Sequence, residues 1–550
     1  MTRRITGLLL LCVAVFIVSF KGKGSKKAKK EKKARREVAV RIDRTDKADL
    51  HTIALIKNEG FNNSKAMETL FELTDVNGPR LTGSAGMRKA EEWARAKMWG
   101  WGLENTAIEP WGGFGKGWEI NKCYVAMTTP YYQPLIGVPK AWTPGTQGLV
   151  KGTAVLVKID AVEDMAAYAG QLRNKIAVIS SMSSEVKPNF TADAKRLTDE
   201  ELKQIGGDPH SDDAPTNLSQ KSKTGQPNAR AAAMNMRRMV DSFLMHEGAA
   251  AVLSGGRGTM GTVFTSNGAS RAWNAKTVLP EIEMGSEHIG RLIRLLEAGR
   301  MVEVELDVKT TFLTADSTEA NVIAEIPGTD PRLKDEIVML GGHMDSWHGS
   351  TGTTDNATGV VVMMEAMRIL KTLDLKPKRT IRIALWSGEE QGLLGSRGYV
   401  KKHFADRITI DTKPAHSKVS AYYNLDNGAG KIRGIYLQGN DELRPIFTAW
   451  MEPFADLGAG TVTIKNTGST DHISFDEVGI PGFQFIQDPL EYGTRTHHTN
   501  MDSYDRVSAN DLMQASVVVA SFVYQTAMRE EKLPRKPMPK VNPSPESWRR

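Results

Sequence analysis

From about residue 320 onward, short unbroken apolar runs alternate with stretches whose apolar residues recur every three or four positions. The runs at 321–326, 337–340, 379–386, 418–425, 432–437, 461–464 and 482–486 read as strands, and 360–372, 396–404, 441–454 and 508–529 read as helices. Apolar runs without alternation are strands buried on both faces. Strands that alternate with helices form a largely parallel sheet covered on both sides. The pattern therefore predicts an α/β fold, with a mostly parallel mixed sheet flanked by helices.

Upstream the periodicity differs. Helices are expected at 48–57, 64–73 and 85–99, with the turn-rich stretch Asn77-Gly-Pro-Arg-Leu-Thr-Gly-Ser84 between the last two, and 109–130 reads as strand material. From 134 to 308 come shorter β-rich runs broken by Gly and Pro, at 153–159, 175–180, 249–254 and 302–308, with helices at 234–246 and 285–298. The polar interval 184–230 reads as loop. A separate β-rich domain interrupting the α/β one follows from this change. His210, His246 and His288 stand alone in it, as surface or core histidines. The Pro/Lys/Arg-rich tail from Leu533 reads as disordered.

Charge adds little to this division. The net charge is +8, but residues 21–36 alone hold ten Lys/Arg against one Glu. The remainder is close to neutral and shows no basic patch interleaved with aromatics, so no nucleic-acid partner is expected. Residues 5–20 form an apolar run behind Met-Thr-Arg-Arg. It reads as a signal peptide for periplasmic or secreted export, the alternative being a retained N-terminal anchor with membrane association. Cys12 lies within it and Cys123 is the other cysteine, so a mature chain has no intramolecular disulfide.

Chemistry concentrates at the predicted strand ends of the third region. His343 and Asp345 follow one strand, with Asp355 on the same loop; Glu389 and Glu390 follow a second, Asp426 a third, and His497, His498 and Asp502 the last. Open α/β sheets bind ligands beyond the carboxyl ends of their strands. Each acid or histidine alone reads as a cap or turn; four such places on one sheet do not. Carboxylates and imidazoles without cysteine suit zinc in an N/O site, and the donors exceed what one tetrahedral ion needs. Two ions roughly 3.5–4 Å apart would use them all.

The ordered series G-G-H-M-D-S-W, T-D-N-A-T-G, W-S-G-E-E-Q-G, N-L-D and H-H-T-N-M-D-S resembles the family of co-catalytic zinc aminopeptidases and glutamate carboxypeptidases, most closely its plasma glutamate carboxypeptidase branch. Gly78-Pro-Arg-Leu-Thr-Gly-Ser84 and Ser469-Thr-Asp-His-Ile-Ser-Phe475 support the likeness, which spans about residues 50–530. The resemblance implies two Zn2+ per chain, with Asp355 bridging, His343 and Asp426 completing one site, and Glu390 and His498 the other. It implies Glu389 as general base, acting on a hydroxide shared by the two ions, and Asp345 orienting His343. His497 stands where many relatives carry a Tyr that helps hold the tetrahedral intermediate, which marks it as a candidate transition-state contact. His498 is chosen over His497 as ligand because the family ligand lies four residues before the acid, here Asp502. Asp471 and His472 fit structural hydrogen bonding, and His348 an exposed loop.

The resemblance further implies a zinc exopeptidase acting on dipeptides or terminal residues of short peptides. Aminopeptidase, carboxypeptidase and dipeptidase chemistry stay open, and a homodimer is implied. A non-catalytic receptor-like relative and a single-zinc glutaminyl cyclase-like relative are the rivals, and the filled ligand set speaks against both. The expected organisation is 1–20 signal peptide or anchor, 21–49 basic linker, 50–130 first part of the peptidase domain, 131–310 protease-associated domain, 311–530 peptidase domain with the metal site, and 531–550 disordered tail.

Overall fold

The computed structural model describes residues 46–179, 188, 190–207 and 227–540. The apolar segment at 5–20, the basic stretch at 21–36 and His210 lie outside these residues. Two eight-stranded sheets organise the rest. The first runs in the order Glu104–Gly113, Thr318–Ile326, Thr380–Trp386, Ile337–His343, Val419–Asn424, Gly482–Gln487, Ile432–Tyr436, Thr461–Thr463. Its central four strands, from Thr380–Trp386 to Gly482–Gln487, are parallel, and antiparallel neighbours flank them on both sides. Every residue of Ile337–His343, Val419–Asn424 and Gly482–Gln487 is buried, as unbroken apolar runs require.

Helices cover both faces. On one lie Thr358–Thr372 and Ala509–Met528, each apolar nearly all round, packed on each other and on the central strands. The other face carries an aromatic layer in which Trp386, Tyr399, Tyr422 and Phe475 pack together, with Tyr422 and Phe475 stacked at 4.2 Å. The mixed sheet flanked by helices is the fold class the apolar pattern predicts.

The second sheet runs Gln133–Pro134, Gly117–Thr129, Glu303–Leu313, Val150–Leu156, Ile176–Ile179, Ala251–Gly255, Glu281–Met284, Gly137–Pro139 around its own apolar core. Gly117–Thr129 and Glu303–Leu313 form a long antiparallel pair, so the chain enters and leaves this body side by side.

Two stretches read as loop or disordered tail are ordered, and Gly117–Thr129, expected within the first part of the peptidase domain, is a strand of the second sheet. Within the interval read as loop, Asp199–Gly206 is a helix started by a capping box of Thr198 and Glu201. Leu197 and Leu202 bury against Ile486 of the first sheet, and this tertiary contact fixes a helix too short to stand alone. The tail expected to be disordered over 531–550 instead packs on the fold at residues 533–536, and 541–550 lie outside the described residues. Leu533 is buried, Arg535 donates to the His416 carbonyl at 2.9 Å, and Lys536 pairs with Asp476 at 2.6 Å. Charges that would solvate an isolated tail here find acceptors on the fold. Among the described residues no helix is long and apolar enough to cross a membrane.

Candidate metal and catalytic site

Parallel pairing brings the chemistry-bearing residues to one edge. His343 ends its strand opposite Trp386, so Glu389 and Glu390 begin three residues further on; Gly341 lies opposite Asn424, two residues before Asp426. A Cβ at Gly341 would come within 2.0 Å of the Ala384 carbonyl oxygen, so only glycine permits this approach next to the site. Beyond His343 the chain loops to the turn Thr353–Ala357, which presents Asp355 at the start of the helix Thr358–Thr372.

Asp355 stands between two histidines. His343 Nε2 is 3.4 Å from Asp355 Oδ1 and 3.3 Å from Asp426 Oδ1. On the other side His498 Nε2 is 3.2 Å from Asp355 Oδ2 and 2.9 Å from Glu390 Oε2. His497 Nε2 reaches Asp355 at 3.8 Å, while Glu389 Oε2 lies 4.0 Å from His343 Nε2. Four ligands at ~2.0–2.1 Å around a tetrahedral ion are about 3.3 Å apart, and the contacts of Asp355, Asp426, Glu390 and the two reaching histidines straddle that value. Asp355 Oδ2 and Glu390 Oε1 are moreover buried without a hydrogen-bond partner among the described residues. Orphaned carboxylate oxygens in a cluster of acids and imidazoles are what a divalent cation satisfies, so the donor set fits zinc.

The electrostatics agree. Burial raises Glu389 well above the ordinary carboxylate value, with Asp426, Asp471 and Glu390 adding repulsion that His343 only partly offsets. Burial likewise pushes Glu390 up to about 7. Burial would depress His343 and His498, but the carboxylates around them win and both rise well above the imidazole value. Burial would raise Asp355 too, but His343, His498 and His497 hold it well below the ordinary carboxylate value. Raised glutamates and histidines around an ionised Asp355 form a carboxylate-rich pocket that calls for positive charge. His497 behaves differently: burial and the neighbouring His498 push it down to about 4, so it is neutral near pH 7.

Asp345 takes an unexpected part. The resemblance implies that its carboxylate orients His343, yet the His343 Nδ1 hydrogen bond, 3.0 Å long, goes to the Asp345 backbone carbonyl, with the carboxylate 3.6 Å away. That carboxylate instead accepts the backbone N–H groups of Glu389 and Glu390, each at 3.2 Å, and the Thr82 hydroxyl at 2.9 Å. It thereby sets the acid pair against the strand carrying His343. Asp502 does the same for Asp355, accepting the N–H groups of Thr354 at 2.6 Å and Asp355 at 3.1 Å.

The least foreseen contributor is Arg80. Fully buried, it donates to the carbonyls of Met344, Gly78, Thr351 and Gly352 at 2.7–3.0 Å, pinning both ends of the loop between His343 and Asp355. Burial lowers it to about 10, and Asp502, Asp345 and Asp355 hold it from falling further. Its only signal in the sequence was the Gly-Pro-Arg-Leu-Thr-Gly-Ser motif, equally readable as an interhelical turn.

Other histidines stay outside the cluster. His348, expected on an exposed loop, is buried against Trp118 and reaches the Pro139 carbonyl at 2.8 Å, with burial lowering it to about 4. His472 approaches the Thr467 carbonyl at 3.2 Å, and Asp471, fully buried, is pushed up to about 7 by burial despite His343. His288 accepts the Ile136 N–H at 2.6 Å and His246 is exposed.

Residues 321–523 match the model of Peptidase family M28. Carboxypeptidase Q of Pongo abelii is 25% identical over 474 residues, 86% of this chain and 87% of its own length. An aminopeptidase of Bacillus subtilis (strain 168) is 31% identical over 203 residues, 36% of this chain and 42% of its own. Among solved structures, a Peptidase M28 precursor from Shewanella amazonensis SB2B superposes with a TM-score of 0.63 at 25% identity, covering 89% of this chain and 98% of that one.

Proposed function

Since this chain belongs to peptidase family M28 and is a metallopeptidase, we propose that it is a dizinc exopeptidase hydrolysing dipeptides or the terminal residue of short peptides. The observation that carries the reading is the single carboxylate of Asp355, 3.4 Å from one histidine and 3.2 Å from another, each of which faces a further acid. Asp355 would hold both ions; His343 and Asp426 would complete one site, and Glu390 and His498 the other. His498 is preferred to His497 because it meets both Asp355 and Glu390, whereas His497 approaches only Asp355.

Bound zinc supplies Lewis acidity for the scissile carbonyl and lowers the pKa of water towards ~7. The rest is done by the chain. Glu389 takes the proton of the attacking water and delivers it to the leaving amine. Asp345 keeps Glu389 in place through the backbone N–H it accepts. His497, neutral and partly exposed beside the cluster, donates to the oxyanion as it forms. The likeness to the Bacillus aminopeptidase supports a second reading, release of N-terminal residues from longer peptides. The second sheet is read as an inserted protease-associated domain, and the apolar segment at 5–20 supports export.

Counting zinc in the purified chain while assaying Ala-Ala, an aminoacyl anilide and an N-blocked peptide tests both readings. About two zinc per chain with cleavage of Ala-Ala supports the first, and efficient anilide cleavage the second. A chain that binds no metal sinks both.

A further inference from the structure

His498 adopts a left-handed backbone with φ of 59°, a conformation that L side chains take only when their surroundings impose it. The imposing contacts come from more than 230 residues away in sequence. Thr265 donates its backbone N–H to the His498 carbonyl at 2.7 Å and its hydroxyl to the same oxygen at 3.0 Å. Phe264 forms an antiparallel bridge with Thr499. Asn500 closes the ladder: its N–H donates to the Val263 carbonyl at 3.0 Å, its Oδ1 accepts the Val263 N–H at 2.7 Å, and its Nδ2 donates to the Gly261 carbonyl at 3.1 Å. Val263, Thr265 and Thr499 are buried, so water cannot replace these bonds cheaply. Space is equally constrained, because a Cβ at Gly349 in the loop after His343 would lie 2.3 Å from the Thr265 Cγ2 methyl.

Residues 261–265 belong to the portion of chain that forms the second sheet, between Ala251–Gly255 and Glu281–Met284. The loop bearing His497 and His498 follows the last strand of the first sheet. Among the described residues the His498 carbonyl takes hydrogen bonds from Thr265 alone. We propose that Thr265 and Asn500 are positioning residues for the second metal: the second-sheet body, clasping residues 498–500, holds His498 in the conformation that faces Glu390. Retention of the ion that Glu390 and His498 would hold then depends on hydrogen bonds between the two bodies, whereas among the described residues the side-chain hydrogen bonds of His343 and Asp426 run to Asp345 and to each other and not to the second body. This inference rests on the two-zinc reading.

The test is zinc retention by the full-length chain against a graded series of dipicolinate, in the wild type, T265V/N500A and T265S, with thermal unfolding of each metal-free form. In T265V/N500A one ion should be retained as in the wild type and the other held at least about tenfold more weakly, the size typical of lost support behind a ligand. T265S, which keeps the hydroxyl donor, should match the wild type. Equal retention of both ions in T265V/N500A, or a parallel weakening of both, would overturn the proposal. A wild type that holds no zinc at all would instead overturn the two-zinc reading beneath it.

Discussion

Glu389 and Glu390 are neighbours in sequence with unlike surroundings: Glu390 meets His498 at 2.9 Å, while Glu389 faces His343 at 4.0 Å. The roles proposed for them separate in substitution. Glu389→Gln should lower kcat by about 10²–10⁴ with zinc content unchanged, whereas Glu390→Gln should lose zinc; near-normal turnover in Glu389→Gln would mean another group is the base. A second acid pair lies behind the site. Glu91 and Glu319 are buried beside each other, with Arg88 3.6 Å from Glu319 as their cation. Burial, reinforced by repulsion from Glu319, pushes Glu91 up to about 8, and burial against the pull of Arg88 takes Glu319 to about 7. Both exceed the ordinary value of 4.5. The folded state therefore binds more protons than the unfolded one between those limits, and the associated stability, complete in acid, is lost as pH rises through 7 to 8. Unfolding measured at pH 5.5 and 8.5 should show this decline in the wild type and a smaller one in Glu319→Gln; equal slopes would refute the assignment.

At the scale of elements, the parallel strands fix where the site lies and the loops between them fix its shape. The loop after His343 has little regular structure of its own and takes its form from Arg80, which satisfies carbonyls at both of its ends. Replacing Arg80 by Leu leaves several buried carbonyls unpaired and should cost about 3 kcal/mol or more in denaturant unfolding. Arg80→Lys should recover only part of this, because one ammonium cannot span the same fork. An Arg80→Leu chain of wild-type stability would show that water fills the gap. Gly341 stands at the opposite end of this economy, since the strand carrying His343 closes on its neighbour only where no side chain intervenes.

Across the whole molecule, the C-terminal segment is held on the body of the first sheet. The 531–540 segment runs over the first sheet's helices and loops, with Leu533 buried and its N–H donated to Ser420 at 3.2 Å. Leu533→Ala should therefore cost about 2 kcal/mol or more, read from unfolding midpoints, whereas a solvated tail would cost nothing. What the sequence determined by itself was the α/β class, because unbroken apolar runs alternating with helices are buried as the strands of a sheet covered on both faces, and the places where acids and histidines collect, because they follow those runs directly. His343, Asp426 and the Glu389–Glu390 pair were legible for that reason. Tertiary structure alone decided what has no local signature. That Asp345 turns its carboxylate to the Glu389 and Glu390 amides, that Arg80 lies beneath the cluster, and that Thr265 grips His498 all depend on which backbone groups are left unpaired once the strands have assembled. Unpaired carbonyls and amides are a property of the packed fold, and no periodicity along the chain records them.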